Sequence, residues 1–343
     1  MLLNKQAKLV SPKKIDICFE NIDEQNLGAR EVIVEVAYCG ICGSDMPRYF
    51  EGKVHFYPLV LGHEFSGTVV AKGSDVALSV GDKVSCIPLE PCMECEFCKK
   101  GRYQLCKKYK FVGSRRDGGF QKYVRLSERN LIKLSPSTDL KDAAFIEPIT
   151  VAIHGYKLVK NYLQSESEEI LIYGFGNIGI ILTEYLLFKG YKNINVLTRS
   201  SSRRELAKNI GIKNFYVESD LPNINQKFSV IFDCSSNEKS MEILLQMAAE
   251  GGALSIIGTK NADLKMTAKT FNLIQREELS IFGSWMSYSS PWPGFEWTEA
   301  VKALGAGAFT LQELIKAVFT LDNVNDGFSK AYEVGQKILI KVN

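Results

Sequence analysis

Ile170-Leu171-Ile172-Tyr173-Gly174-Phe175-Gly176-Asn177-Ile178-Gly179 is the stretch that decides how this chain folds. Its first four residues form an apolar run of the length and type found in a buried strand. A G-x-G-x-x-G pattern follows at once, and Ile180 to Phe188 continues as an apolar helix. Strand, glycine turn and helix in that order are the context in which this pattern marks a dinucleotide site. Gly174 makes the tight turn, Gly176 lets the backbone approach a pyrophosphate, and Gly179 lets the helix lie close to the strand. Gly174, Gly176, Ile178 and Gly179 are therefore the expected cofactor contacts.

Working outward, strand-like runs recur at Asn195-Val196-Leu197, Val230-Ile231-Phe232, Leu254-Ser255-Ile256-Ile257 and Leu279-Ser280-Ile281-Phe282. Helical stretches lie between them, for example Glu242 to Glu250. This alternation predicts an α/β unit over residues 151–285, a Rossmann-type doubly wound parallel sheet. Residues 1–150 read differently. Short β-like runs such as Val32-Ile33-Val34-Glu35-Val36 and Thr68-Val69-Val70-Ala71 are separated by turns such as Gly81-Asp82-Lys83, as in a β-barrel-type domain. After residue 286 the alternation stops, and residues 286–343 are expected to rejoin the first domain.

The second Rossmann strand indicates which cofactor is read. NAD enzymes place an acid at its end, roughly 20 residues past the glycines. Here that end is Thr198-Arg199-Ser200-Ser201-Ser202-Arg203-Arg204, with no acid. A hydroxyl followed by arginine suits a 2′-phosphate, because guanidinium pairs with phosphate bidentately. Thr198, Arg199 and Arg203 are thus expected to favour NADP(H) over NAD(H), with Arg204 on a solvated helix face.

Two groups of metal-binding residues precede this unit. Cys92, Cys95, Cys98 and Cys106 have the spacing C-x2-C-x2-C-x7-C on a loop poor in large apolar residues. Four thiolates there suit a closed tetrahedral zinc site that orders the loop. An iron–sulfur cluster is the rival reading, although those motifs end in C-x3-C-P and Cys106 precedes Lys107. The second group is Cys42-Gly43-Ser44-Asp45, then Gly62-His63-Glu64, then Glu147-Pro148. A catalytic zinc takes about three protein ligands and keeps one position open. Cys42, His63 and a carboxylate, Glu64 or Glu147, supply that set. Cys18, Cys39, Cys86 and Cys234 read as small core residues.

Gly62-His63-Glu64-Phe65-Ser66-Gly67, with Gly73 and Gly81-Asp82-Lys83-Val84, resembles the zinc signature of the medium-chain dehydrogenase/reductase family. The cysteine loop and glycine motif follow in that family's order. Cys42-Gly43-Ser44-Asp45 resembles the form used in its polyol dehydrogenase branch. Gly113 to Phe120, Phe145 to Val151 and Gly283 to Gly294 are similar to the galactitol-phosphate type within that branch. The resemblance implies a GroES-like catalytic domain and two zinc ions per chain. One zinc would lie on Cys42, His63 and Glu147 with Glu64 beside it, and Ser44 would relay a proton.

The resemblance also implies hydride transfer between a polyol and NAD(P), in a cleft between the domains, giving the keto sugar. The polyol is expected to be a hexitol or pentitol phosphate, with free polyols such as sorbitol as the alternative. Arg48, six residues past Cys42, is the first candidate for the phosphate, and Arg115-Arg116 the second. Trp285, Met286 and Tyr288 are candidates for the pocket wall. A non-catalytic binding or structural role is a remote alternative, because every zinc ligand is present.

The remaining numbers set limits. At 343 residues the chain is too long for one core, which suggests two domains. A net charge of +3 with no basic stripe argues against a nucleic-acid partner. No run approaches the roughly 18 apolar residues that span a bilayer, so no membrane partner is expected. Nine cysteines without a secretion signal point to metal sites in a reducing, cytoplasmic setting. A small-molecule substrate and a homodimer or homotetramer complete the expectations.

Overall fold

In the computed structural model, which describes residues 1–343 apart from Lys213 and Asn261, the chain forms two compact units. Residues 1–148 and 288–343 make the first, and residues 149–287 the second.

The first unit is built from β1 (Leu2–Ser11), β2 (Lys14–Ile22), β3 (Glu31–Gly40), β4 (Leu59–Val60), β5 (Glu64–Lys72), β6 (Lys83–Cys86), β7 (Leu89–Glu90), β8 (Lys110–Phe111), β9 (Tyr123–Ser127) and β10 (Leu131–Lys133). Its main sheet runs β10-β6-β5-β3 and is extended beyond β3 by two strands from the far end of the chain, with β9 also paired to β3. A smaller sheet, β2-β1-β4, closes over the same core. The pattern follows from the sequence. Val32, Val34 and Val36 of β3 and Val69 of β5 all point into a core that also takes Phe120 and Phe328. Their branched side chains favour extended backbone.

The second unit holds β11 (Ile170–Tyr173), β12 (Ile194–Thr198), β13 (Asn214–Val217), β14 (Phe228–Asp233), β15 (Ala248–Ile256) and β16 (Ser280–Gly283). They form one parallel sheet in the order β13-β12-β11-β14-β15-β16. The order reverses between β11 and β14, the switch point at which such sheets bind ligands. Three details depart from the sequence expectations. β13 was not anticipated. The helix placed from Glu242 to Glu250 is Ser240–Met247, and Ala248 already belongs to β15. The helix after the glycines starts at Asn177 rather than Ile180.

The chain then returns to the first unit with the helix Phe295–Gly305, β17 (Ile315–Thr320), the helix Val324–Val334 and β18 (Lys337–Lys341). β18 inserts beside β3, pairing Leu339, Ile340 and Lys341 with Gly40, Cys39 and Tyr38, and β17 lies parallel to β18. No helix among the described residues is long and apolar enough to cross a membrane.

Candidate active site and metal centres

β3 delivers Cys42 to the site. The strand ends at Gly40, Ile41 N–H donates to the Ile338 carbonyl, and Cys42 caps a short helical turn, Gly43–Asp45. The Asp45 carboxylate accepts from the Cys42 backbone N–H at 3.2 Å, while Cys42 Sγ accepts from the Ser44 N–H and hydroxyl at 3.5 and 3.3 Å. β5 delivers His63 and Glu64 from the other side. Gly62 turns the chain with φ +94°, and a Cβ there would come 2.7 Å from Cys39 Sγ. One ligand atom each from Cys42, His63 and Glu64 lies within 4.8 Å of the others. Around a tetrahedral zinc, with ligands at about 2.0–2.3 Å, such atoms stand roughly 3.3–3.8 Å apart. The three residues, with ligand atoms no more than 4.8 Å apart, are grouped closely enough to converge on a zinc ion, and sulfur, nitrogen and oxygen are the donors that zinc takes.

The electrostatics point the same way. His63 is buried, and its Nδ1 faces Asp45 Oδ1 at 3.5 Å, an ion-pair distance without a formed hydrogen bond. Burial alone would lower the His63 pKa, yet Asp45 and Cys42 together hold it well above its ordinary value. A cluster that draws a proton onto a buried imidazole draws a dication to the same place. Asp45 is fully buried; burial works against its charge, but His63, Arg48 and the Cys42 N–H outweigh that and lower its pKa. Glu147 sits in the first turn of the helix Ile146–Val159, and burial first, then Glu64, pushes its carboxyl up to about 7.

Lys337 was not anticipated. It opens β18, is 4% exposed and pairs with Glu64 Oε2 at 2.5 Å. Its Nζ also reaches the Ile41 carbonyl at 3.4 Å and lies 5.8 Å from the centre of the Phe145 ring. Burial opposes its charge, and Glu64 restores it, leaving the pKa above 10.5. The sequence carries no signal for this role, since a lysine beginning the apolar run Lys337-Ile338-Leu339-Ile340 reads as an edge residue.

The four loop cysteines converge as well, with one sulfur each within 4.8 Å of the rest. Cys92 N–H donates to Cys106 Sγ at 3.4 Å. Backbone N–H groups of Glu94 and Cys95 draw the Cys92 thiol down to about 6, while burial and then Cys95 push Cys98 up to about 12. Aromatic rings brace the loop: Tyr103 meets Trp292 edge-on at 5.1 Å, Trp292 stacks on Tyr288, and Tyr288 on Trp297. Tyr288 is thus a buried brace whose hydroxyl accepts from Leu89 N–H, not a pocket wall.

At the end of β11, Gly174 has φ +92°. A Cβ on Gly179 would lie 2.1 Å from the Gly174 carbonyl oxygen, so the helix packs on the turn only because residue 179 has no side chain. A Cβ on Gly176 would meet nothing within 4 Å, which leaves open space over the helix N-terminus, where backbone N–H groups favour anions. Thr198 ends β12 half-buried and Arg199 is exposed. Arg203 folds back over the glycine turn, donating from Nη1 to the Phe175 carbonyl at 3.0 Å. Arg204 instead lies over the Phe215 ring and donates to its carbonyl, a packing role.

The family described as alcohol dehydrogenase GroES-like domain matches residues 28–136, and that described as zinc-binding dehydrogenase matches residues 177–304. Galactitol 1-phosphate 5-dehydrogenase of Escherichia coli K12 is 40% identical over 295 residues, 83% of this chain and 84% of that protein. The chain belongs to the zinc-dependent polyol dehydrogenases. Sorbitol dehydrogenase of Bacillus subtilis is 28% identical over 98% of the chain and 95% of its own length. The crystal structure of galactitol-1-phosphate dehydrogenase from Escherichia coli matches with a TM-score of 0.90 at 34% identity, covering 98% of this chain and 100% of that one. A zinc-binding dehydrogenase from Sinorhizobium meliloti 1021, bound to NADP, matches at 0.90 with 26% identity over the full length of both.

The dehydrogenase places its arginines in three different settings. Arg48, expected at a substrate phosphate, has Nη1 turned inward to the Ser44 carbonyl, Ser44 Oγ and Asp45 Oδ1 at 2.8, 3.2 and 3.0 Å. Arg116 pairs with Glu90 at 2.5 Å and donates to the Arg125 carbonyl, a structural role. Arg115 is exposed, stacked 4.3 Å over the Tyr109 ring. Its turn packs on the residue before His63: a Cβ on Gly113 would lie 2.6 Å from the Gly62 carbonyl. Phe111, from which the turn springs, lies 5.5 Å from the His63 ring.

Proposed function

We propose that this dehydrogenase interconverts a sugar-alcohol phosphate, a hexitol or pentitol phosphate of the galactitol 1-phosphate kind, and its keto sugar phosphate, with NADP(H) as hydride partner. The observation that carries the reading is the convergence of Cys42, His63 and Glu64 beside the Ser44 hydroxyl. Cys42, His63 and a carboxylate, Glu64 or Glu147, would hold one zinc, and the four loop cysteines would hold a second. When bound, the first zinc acts as a Lewis acid that lowers the pKa of the substrate hydroxyl. The nicotinamide cofactor supplies the hydride acceptor.

The chain's own residues do the rest. Ser44 Oγ takes the proton that leaves the substrate hydroxyl. Asp45 backs His63 and fixes the orientation of its ring. Lys337 neutralises Glu64, so the buried pair adds no net charge to the site. The Phe111 ring excludes water from one side of His63. The glycine turn presents the helix N-terminus to the cofactor pyrophosphate. Thr198 and Arg199, with Arg203 over the turn, suit a 2′-phosphate in place of two ribose hydroxyls. The Arg115 guanidinium makes no hydrogen bond or ion pair with the described residues, and its closeness to the His63 turn supports it as the substrate phosphate contact.

Initial rates on phosphorylated and free polyols, with NAD+ and NADP+ side by side, test the proposal. A kcat/KM at least tenfold higher for a phosphorylated polyol and for NADP+ is expected. Arg203→Ala should weaken NADP+ by about tenfold or more, the worth of a charge-assisted hydrogen bond, and leave NAD+ nearly unchanged. A preference for free polyols, or equal loss for both cofactors, would refute the corresponding half of the reading.

A further inference from the structure

We infer that Arg48, through Nη1, is the positioning residue of the Ser44 hydroxyl, joining the proton exit to the carboxylate behind His63. The inference rests on the reading of Ser44 as proton acceptor. It starts from the count of hydrogens and lone pairs. A serine hydroxyl is a free rotor with one hydrogen and two lone pairs. Arg48 Nη1 donates to Ser44 Oγ at 3.2 Å, and that oxygen donates to Cys42 Sγ at 3.3 Å. Two of its three hydrogen-bonding directions are therefore set by the protein. One lone pair remains to receive a proton from the substrate.

The guanidinium is itself held from three points. Nη1 serves the Ser44 carbonyl at 2.8 Å and Asp45 Oδ1 at 3.0 Å as well as Ser44 Oγ. Two hydrogens shared among three acceptors leave this nitrogen nothing for a ligand. The spacing makes the arrangement possible, because residues 44, 45 and 48 fall on one face of the turn that runs into the helix Met46–Glu51. Arg48 is 19% exposed and Asp45 not at all, so water screens their ion pair weakly, while Ser44 itself is exposed.

The balance of the step explains what a fixed cation does there. The substrate O–H bond breaks and its proton goes to Ser44 Oγ. The Ser44 hydroxyl then turns its original hydrogen from Cys42 Sγ to water, that O–H bond breaks and the proton goes to water. The C–H bond breaks, its hydrogen would leave with the electron pair as hydride to a bound nicotinamide cofactor, and the C=O bond forms. Ser44 ends as it began. A positive charge 3.2 Å from Oγ disfavours a second proton resting on that oxygen and favours its departure. Arg48 thus makes Ser44 a relay rather than a trap.

Arg48→Gln, Arg48→Lys, Ser44→Ala and the Arg48→Gln/Ser44→Ala double variant test this on the zinc-loaded enzyme. In Arg48→Gln, kcat should fall roughly 10–100-fold, at or below the lower end of the 10²–10⁴-fold that a general acid–base group itself contributes. KM should change less than about threefold, equally for phosphorylated and free polyols, and zinc content should match wild type. The double variant should be no slower than Ser44→Ala, and Arg48→Lys should recover part of the loss. Crystal structures add a readout that needs no turnover: Ser44 should occupy one rotamer in wild type and several in Arg48→Gln. A selective rise in KM for the phosphorylated polyol, multiplicative losses in the double variant, loss of zinc, or an unchanged Ser44 rotamer would each overturn the inference. If wild type oxidises no polyol, the functional reading fails by itself, and the Ser44 rotamer still decides the role of Arg48.

Discussion

Removing Lys337 is the sharpest perturbation of the metal centre, because its sign reverses with zinc. In Lys337→Met the Glu64 carboxylate keeps its burial, 3% exposed, and loses a partner at 2.5 Å. Stranding one charge of a buried pair costs about 3–5 kcal/mol. For a unit of about 200 residues, at 2–4 °C per kcal/mol, that is a fall in Tm of roughly 6–20 °C. The raised pKa of Lys337 means its contribution is complete below its ordinary 10.5 and is lost only as pH rises beyond that, so measurements at pH 7 see all of it. This cost belongs to the metal-free protein. A zinc ion beside Glu64 replaces the missing charge, so the zinc-loaded variant should lose much less, and by linkage it should bind zinc more tightly than wild type. Thermal unfolding of chelator-treated and zinc-loaded samples, with competitive zinc titration, measures both. Equal destabilisation in the two forms, or weaker zinc binding, would refute the view that Lys337 and the metal compete for Glu64.

Gly179→Ala should loosen either nicotinamide cofactor more than tenfold by equilibrium titration, because its Cβ meets the backbone oxygen of Gly174 at 2.1 Å; wild-type affinity would contradict the geometry. Cys95→Ser should reduce zinc from two ions to one and alter tryptophan emission through Trp292, which packs on Tyr103; two retained zincs would count against the four-thiolate site. In metal-stripped protein at pH 7, iodoacetamide should modify Cys92, whose thiol sits near 6, well before Cys98, near 12, as peptide mass mapping would show.

The features legible in the sequence are those whose partners are close in sequence. The glycine turn, the Cys42 turn and the cysteine loop each carry their chemistry within about 15 residues. β12, β14 and β15 announce themselves as apolar runs because both faces of a parallel sheet are covered. β13 does not, because Asn214-Phe215-Tyr216-Val217 is a short edge strand with one fully buried residue. The stretch Ala248 to Gly252 reads as a helix end, yet it enters β15 across an irregularity in register near Gly251, which has φ +68°. Charged side chains were least legible. Arg48, Arg115 and Arg116 look alike in the sequence, and their different roles come from Asp45, the Tyr109 ring and Glu90. Lys337 finds Glu64 across 273 positions, a separation no local pattern encodes.

The position of β18 bears on the order in which the protein is made. Tyr38, Cys39 and Gly40 of β3 have β18 as a partner, and the lysine that neutralises Glu64 rides on the same strand. About 190 residues separate the end of the unit's first segment at Pro148 from Lys337. At 5–20 residues per second a ribosome needs roughly 10–40 s to span them. Throughout that wait the nascent unit carries a stretch of open sheet edge beside Cys42, a template for pairing with other chains. It also carries an uncompensated carboxylate next to His63. A cation that reached a site formed before β18 docks would meet no competing lysine, and its capture would be electrostatically easier than in the finished enzyme.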